Sequence, residues 1–157
     1  MHTLIVAVGR WKKGPERALY DAYVRRLRPA PELIEVEEKR KLPTPARIAA
    51  EGALQLAKIP ADSFVIALDG RGRTLSSEDF AARLGALRDD GMPAVTFTIG
   101  GADGLAAAVL ARADLVLSLG AMTWPHLLVR TLLAEQLYRA EAILAGHPYH
   151  RPGPPPT

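Results

Sequence analysis

LSLGAMTWPHLLVRTLLAEQLYR, residues Leu117–Arg139, carries the end of a strand through a short loop into a long helix. Val116 to Leu119 reads as the strand end and Gly120 to Pro125 as the loop. Pro125 fits a first helical turn, where its fixed φ is already helical and its missing N–H costs nothing. Val129, Leu132, Leu133, Leu137, Ala140, Ile143 and Leu144 then recur at helical spacing and define an apolar stripe. Arg130, Thr131, Glu135 and Arg139 are expected on the opposite, polar side, and Gln136 interrupts the stripe. A loop of small residues feeding a helix N-terminus presents backbone N–H groups to a polar ligand. An ordinary strand–helix connection would show the same pattern.

Upstream, apolar runs bounded by turn residues predict strands at Thr3–Val8, Leu33–Val36, Phe64–Leu68 and Ala94–Ile99, with the last at Leu115–Leu119. Helices are expected from Pro15 to about Arg28, with Ala18, Leu19, Ala22, Tyr23 and Leu27 near helical spacing, and from Pro45 to before Pro60, carrying Ile48, Ala49, Leu54 and Leu56. A third follows the capping pair Ser76 and Asp79 and stops at Gly91. A fourth spans Gly104–Ala113. Asp69–Arg73 reads as a polar loop. Strands alternating with helices imply a mostly parallel sheet of five or six strands, covered on both faces. Ligands of such sheets lie beyond the C-terminal strand ends, here Leu68-Asp69-Gly70, Gly100-Gly101 and Gly120–Pro125. Residues 1–151 are expected to form one domain and the proline-rich residues 152–157 a disordered tail.

The 157 residues contain no cysteine, which excludes disulfides, thiolate metal sites and a cysteine nucleophile. No apolar run approaches the ~20 residues of a membrane span. The N-terminus enters a strand pattern at once, without a basic-then-apolar signal segment, so a cytoplasmic location is the expectation. A net charge of +3 understates a local asymmetry. Arg10, Lys12, Lys13, Arg17, Arg25, Arg26 and Arg28 face only Glu16 and Asp21, a local excess of five positive charges. Lys39-Arg40-Lys41 forms a second basic run. Such clusters suit a phosphate backbone, although each alone also suits a solvated helix face.

The loop Ile99-Gly100-Gly101-Ala102-Asp103-Gly104-Leu105 follows a strand and precedes a helix, yet its spacing is not that of a dinucleotide-binding turn. Glycine here permits close backbone approach or a tight turn. His2, His126, His147 and His150 form no metal-ligand pattern. His126, at a helix start where positive charge is disfavoured, reads as a neutral hydrogen-bonding residue. No Ser–His–Asp order or carboxylate pair stands out. A pocket without acid–base machinery fits chemistry in which a cofactor carries the activated group.

Three segments together resemble one family: the stretch from Leu117 to Tyr138, the loop Ile99–Leu105, and the tail His147-Pro148-Tyr149-His150-Arg151. It is the RlmH family of SPOUT-class methyltransferases, which act on N3 of a pseudouridine in 23S ribosomal RNA, and the resemblance begins at Leu4-Ile5-Val6-Ala7-Val8-Gly9. It implies S-adenosylmethionine as cofactor, the assembled ribosome as substrate, a homodimer, and no metal or membrane partner. It also implies a deep C-terminal trefoil knot, against the general rarity of knots. Cofactor contacts are implied at Leu68, Gly101, Gly120, Ala121, Met122, Thr123, Trp124 and Pro125. Trp124 stands where related loops often carry a smaller apolar residue. Tyr149, His150 and solvent are open as proton acceptors, with Arg151 and Arg130 steadying anionic charge or phosphate. A non-catalytic ribosome- or RNA-binding module is the alternative, and a nucleotide-dependent oxidoreductase a third.

Overall fold

The computed structural model describes residues 1–154. Residues 152–154 form no regular element, and the rest of the expected tail, Pro155 to Thr157, lies outside the described residues. In chain order the elements are β1 (His2–Val8), α1 (Pro15–Val24), β2 (Glu32–Val36), α2 (Thr44–Leu56), β3 (Ser63–Thr74), α3 (Ser77–Asp89), β4 (Ala94–Ile99), α4 (Ala107–Arg112), β5 (Leu115–Ser118) and α5 (His126–Ala145). The strands form one five-stranded sheet in the order β2-β1-β4-β3-β5, every pair parallel.

Burial on both faces explains the composition of the central strands. All six residues of β4 are buried. One face packs Ile5, Ile66, Phe97 and Ile99 against α1, α3 and α5; the other packs Ala67 against Val109 of α4 and Ile48 and Leu56 of α2. Several buried polar groups are paired: the Gln55 amide donates to the carbonyls of Val6 and Ile99, both at 3.1 Å, and the Ser63 and Thr96 hydroxyls lie 2.6 Å apart, whereas the Tyr20 and Thr98 hydroxyls find no protein partner. The cap of α3 forms as expected, the Ser76 hydroxyl accepting from the Asp79 N–H at 3.0 Å, and Gly91 follows the helix at φ +78°.

The helix faces differ from expectation. In α1 the buried residue is Tyr20, and Leu19 is half exposed. In α2 the buried set is Glu51, Gly52 and Gln55, with Leu54 outward. α5 begins at His126, and Pro125, at ψ 136°, sits just outside it. Arg130 and Thr131, expected on the polar side, are buried. α5 lies between α1 and α3, so it buries more than one stripe. The expected polar loop after Leu68 is an interruption inside β3. Leu68 and Arg73 both register with Leu117, so the intervening residues leave the ladder and the strand resumes. The Asp69 carboxylate bonds the backbone and guanidinium of Arg71 and closes this excursion. The resumed pairing is with β5, distant in sequence, which a local pattern cannot reveal.

Candidate active site

The C-terminal ends of β3, β4 and β5 converge on a cavity of about 270 Å³. Leu68, Asp69 and Gly70 line one side, and the loop from Gly100 to Leu105 another. The loop from Gly120 to Trp124, with His126 and Val129 of α5, completes it. Every residue expected to contact a cofactor lines this cavity except Pro125.

Backbone packing decides the glycines. A Cβ on Gly100 would sit 2.6 Å from the Gly104 carbonyl carbon, so the loop closes on itself only without a side chain there. A Cβ on Gly101 would sit 3.1 Å from both Glu51 Oε2 and Val8 Cγ1. Gly120 takes φ +115°, where L side chains are strained, and its N–H and carbonyl both bond the Ser118 hydroxyl. Arg47 ties the glycine loop to α2 by pairing with Asp103 and Glu51. Burial pushes the Glu51 carboxyl above its ordinary range. Met122 is 77% and Trp124 41% exposed, so the loop presents a large apolar rim to solvent.

Arg130 does not reach into this space. Its side chain is fully buried, pairing with Glu35 of β2 at 2.7 Å and donating to the carbonyls of Val8 and Gly9 at 3.2 and 3.0 Å. The guanidinium lies 4.8 Å from the Trp11 ring centroid. It is a strut joining β1, β2 and α5 rather than a free cation, because the end of β1 offers carbonyls that a buried guanidinium can satisfy.

The tail is ordered through its own contacts. Gly146, at φ +69°, ends α5, with its N–H on the Ile143 carbonyl and the His147 N–H on the Ala142 carbonyl. This closure turns the chain back along the helix. The Tyr149 hydroxyl donates to Glu135 at 2.9 Å, and its ring meets Tyr138 edge-on at 4.7 Å under the Arg139 guanidinium. Burial raises the Tyr149 hydroxyl above its ordinary range, reinforced by Tyr23 and Glu135. His150 bonds Arg139 through Nδ1 and Glu78 through Nε2. Arg151 is exposed. No residue of the tail lines the cavity. Its anchor Glu135 lies nine residues along α5 from His126, ~14 Å of helix.

The basic loop follows β1 directly. Lys12 and Lys13 are exposed, while Arg10 pairs with Glu37 at 2.9 Å. Arg40 likewise folds onto Glu38, whose carboxyl is held down at about 2 by that contact. His126 joins the cavity lining although its sequence position marked only a helix start. The signal available was its place directly after the glycine-to-proline loop. A second cavity, of about 300 Å³, lies between the connection from α1 to β2, α3 and α5. It has apolar walls at Leu27, Leu84, Leu137 and Leu144, and no glycine loop. Among the described residues no group of three or more His, Asp or Glu is placed to hold a metal ion, and no helix is long and apolar enough to cross a membrane.

A parallel sheet with a backbone-walled pocket across three strand ends defines a class: a small-ligand-binding α/β protein whose site is made of loops. The model of a family described as "Predicted SPOUT methyltransferase" matches residues 1–150. A Ribosomal RNA large subunit methyltransferase H of Paramagnetospirillum magneticum is 59% identical over 152 residues, 97% of this chain and 100% of its own. Another of that name, from Rhodospirillum rubrum, is 56% identical over 151 residues, 96% of this chain and 99% of its own. A crystal structure of a probable methyltransferase from Bordetella pertussis Tohama I shares the fold, with a TM-score of 0.56 at 17% identity, covering 88% of this chain and 95% of its own. The chain belongs to the SPOUT methyltransferases and, within them, to the ribosomal RNA large subunit methyltransferase H family.

Proposed function

We propose that this protein transfers a methyl group from S-adenosylmethionine to N3 of a pseudouridine in 23S ribosomal RNA, acting on the assembled ribosome. The observation that carries this reading is the cavity across β3, β4 and β5, walled by two glycine loops. RNA binding alone requires no such small-molecule pocket, which disfavours a non-catalytic module. The fit to the cofactor rests on Gly100 and Gly101, where side chains would collide with loop backbone or with Glu51 and Val8.

S-adenosylmethionine supplies an already activated methyl group, so the protein contributes position, desolvation and electrostatics. Leu68, Gly101 and the segment from Gly120 to Thr123 would hold it, with Trp124 at the rim. Lys12 and Lys13 take phosphate of the incoming RNA, together with Lys39 and Lys41 from the loop after β2. Arg130 keeps the end of β1, and hence the basic loop, in register with α5.

Tyr149, His150 and Arg151 serve a second protomer in this reading. The support is their docking on α5, remote from the cavity of their own chain, and the exposed apolar rim at Met122 and Trp124 that a partner would cover. A homodimer with a composite site and a C-terminal trefoil knot are part of the same proposal, and the protein works in the cytoplasm where ribosomes are.

Mass spectrometry of 23S ribosomal RNA from a strain lacking this protein tests the reading. One pseudouridine should lose a single methyl group, and purified protein with S-adenosylmethionine should restore it on intact ribosomes. An unchanged modification pattern, with no thermal stabilisation of the protein by S-adenosylmethionine, would leave the binding module standing.

A further inference from the structure

Three side chains have the chemistry to accept the proton that the imide nitrogen must lose. Two of them are committed elsewhere. His150 has both ring nitrogens engaged, by Arg139 at 3.1 Å and Glu78 at 2.8 Å. The Tyr149 hydroxyl donates to Glu135, and burial moves its ionisation further from neutrality. The third is His126. It lines the cavity beside the loop from Gly120 to Trp124. Its Nε2 lies 3.5 Å from where a Cβ on Gly9 would sit, so this nitrogen stands beside the residue that follows β1. Gly9 opens the basic loop, so His126 stands where the cavity meets the expected path of the RNA.

We propose that His126 is a catalytic residue that accepts the N3 proton of the target pseudouridine; this rests on the methyltransferase reading above. The N3–H bond breaks and its proton passes to Nε2. Its electron pair forms the N3–methyl bond while the methyl–sulfur bond breaks and that pair leaves on sulfur, giving neutral S-adenosylhomocysteine. The imidazolium then loses its proton to solvent. A base of this kind must be uncharged at neutral pH. Burial, assisted by the positive charge of Arg130 one turn along α5, lowers the His126 ionisation below the ordinary 6.5. Glu35 of β2 pairs with Arg130, and Asp69 of β3, which lines another side of the cavity, is tied to Arg71. The position at the start of α5 acts in the same direction.

Single-turnover methylation of ribosomes from a deletion strain, followed from pH 5.5 to 9, tests the assignment alongside NMR of the ¹⁵N-histidine-labelled protein. The wild-type rate should fall on an acid limb whose midpoint matches the His126 titration seen by NMR. His126→Asn and His126→Gln should lose about 10²–10⁴-fold in rate at pH 7 and lose the acid limb. Their affinity for S-adenosylhomocysteine, measured by calorimetry, should stay within threefold of wild type. The deficit should narrow as pH rises and the imide ionises unaided. His150→Ala should retain the acid limb. An imidazole at position 126 still charged at pH 7 would overturn the proposal without any variant. So would a folded variant of near wild-type rate, or one that loses cofactor affinity at unchanged turnover. Wild-type protein that methylates no ribosome would instead sink the methyltransferase reading itself.

Discussion

Replacing Arg130 with Met separates a structural strut from a phosphate-binding cation. The side chain is fully buried and its partner Glu35 is 22% exposed at the side chain. Removing the guanidinium leaves a carboxylate whose remaining protein contact is the Trp11 N–H at 2.7 Å, and strands the carbonyls of Val8 and Gly9. Breaking a buried pair from one side costs ~3–5 kcal/mol. Water can reach Glu35, so the lower end, about 3 kcal/mol, is expected here. At ~2–4 °C per kcal/mol for a chain of this length, the melting temperature should fall by ~6–12 °C. Urea denaturation followed by circular dichroism gives the free energy directly. Glu35→Gln in the Arg130→Met background should recover part of the loss, because it removes the uncompensated charge. A cost below ~1 kcal/mol would refute the strut. Lost methylation at unchanged stability would assign Arg130 to phosphate instead.

Gly101→Leu should abolish S-adenosylmethionine binding by calorimetry while the protein stays folded, since the new side chain crowds Glu51 and Val8 and displaces the cavity-lining loop; unchanged affinity removes Gly101 from the site. Charge reversal at Arg10, Lys12 and Lys13 should weaken ribosome binding and flatten its salt dependence without altering cofactor affinity; an unchanged salt slope would make these residues mere surface. Truncation after Gly146 should preserve the fold and cofactor affinity but remove methyl transfer, and mixing that protomer with a Gly101→Leu one should restore activity if the tail works across a dimer. Normal turnover by the truncated protein would exclude the tail. Glu51→Gln should raise stability at pH 7. The folded carboxyl ionises above the ordinary 4.5, so wild-type stability declines as pH rises from there, and the variant should lack that decline.

Much of this architecture is legible because its strands are central and parallel. Phe64–Leu68 is apolar throughout, Ala94–Ile99 carries only Thr96 and Thr98 among its apolar residues, and a strand buried on both faces needs such a run. The three cavity-lining loops follow from the same reasoning. Helix faces were less legible. Spacing placed Arg130 outside, whereas the β1 carbonyls and Glu35, brought near by the sheet, take its guanidinium inside. Leu19 was expected to belong to a buried stripe, yet α1 turns Tyr20 inward. The resumption of β3 after Gly72 depends on pairing with β5, and the docking of the tail on Glu135 and Glu78 depends on contacts that cross the fold. Neither leaves a local trace. The knot entered through resemblance alone.

Gly52 of α2 lies against Ala106, the residue that precedes α4 and ends the segment carrying the glycine loop. A methyl group at position 52 would come within 2.4 Å of the Ala106 Cβ. Neither position therefore has room to grow alone, and α2 cannot be re-spaced from the loop by a single substitution. Across descent, the two positions should change size in a compensating way, Gly52 enlarging only where residue 106 becomes glycine. A lineage that breaks this rule should show a displaced glycine loop and a remodelled cavity at the strand ends.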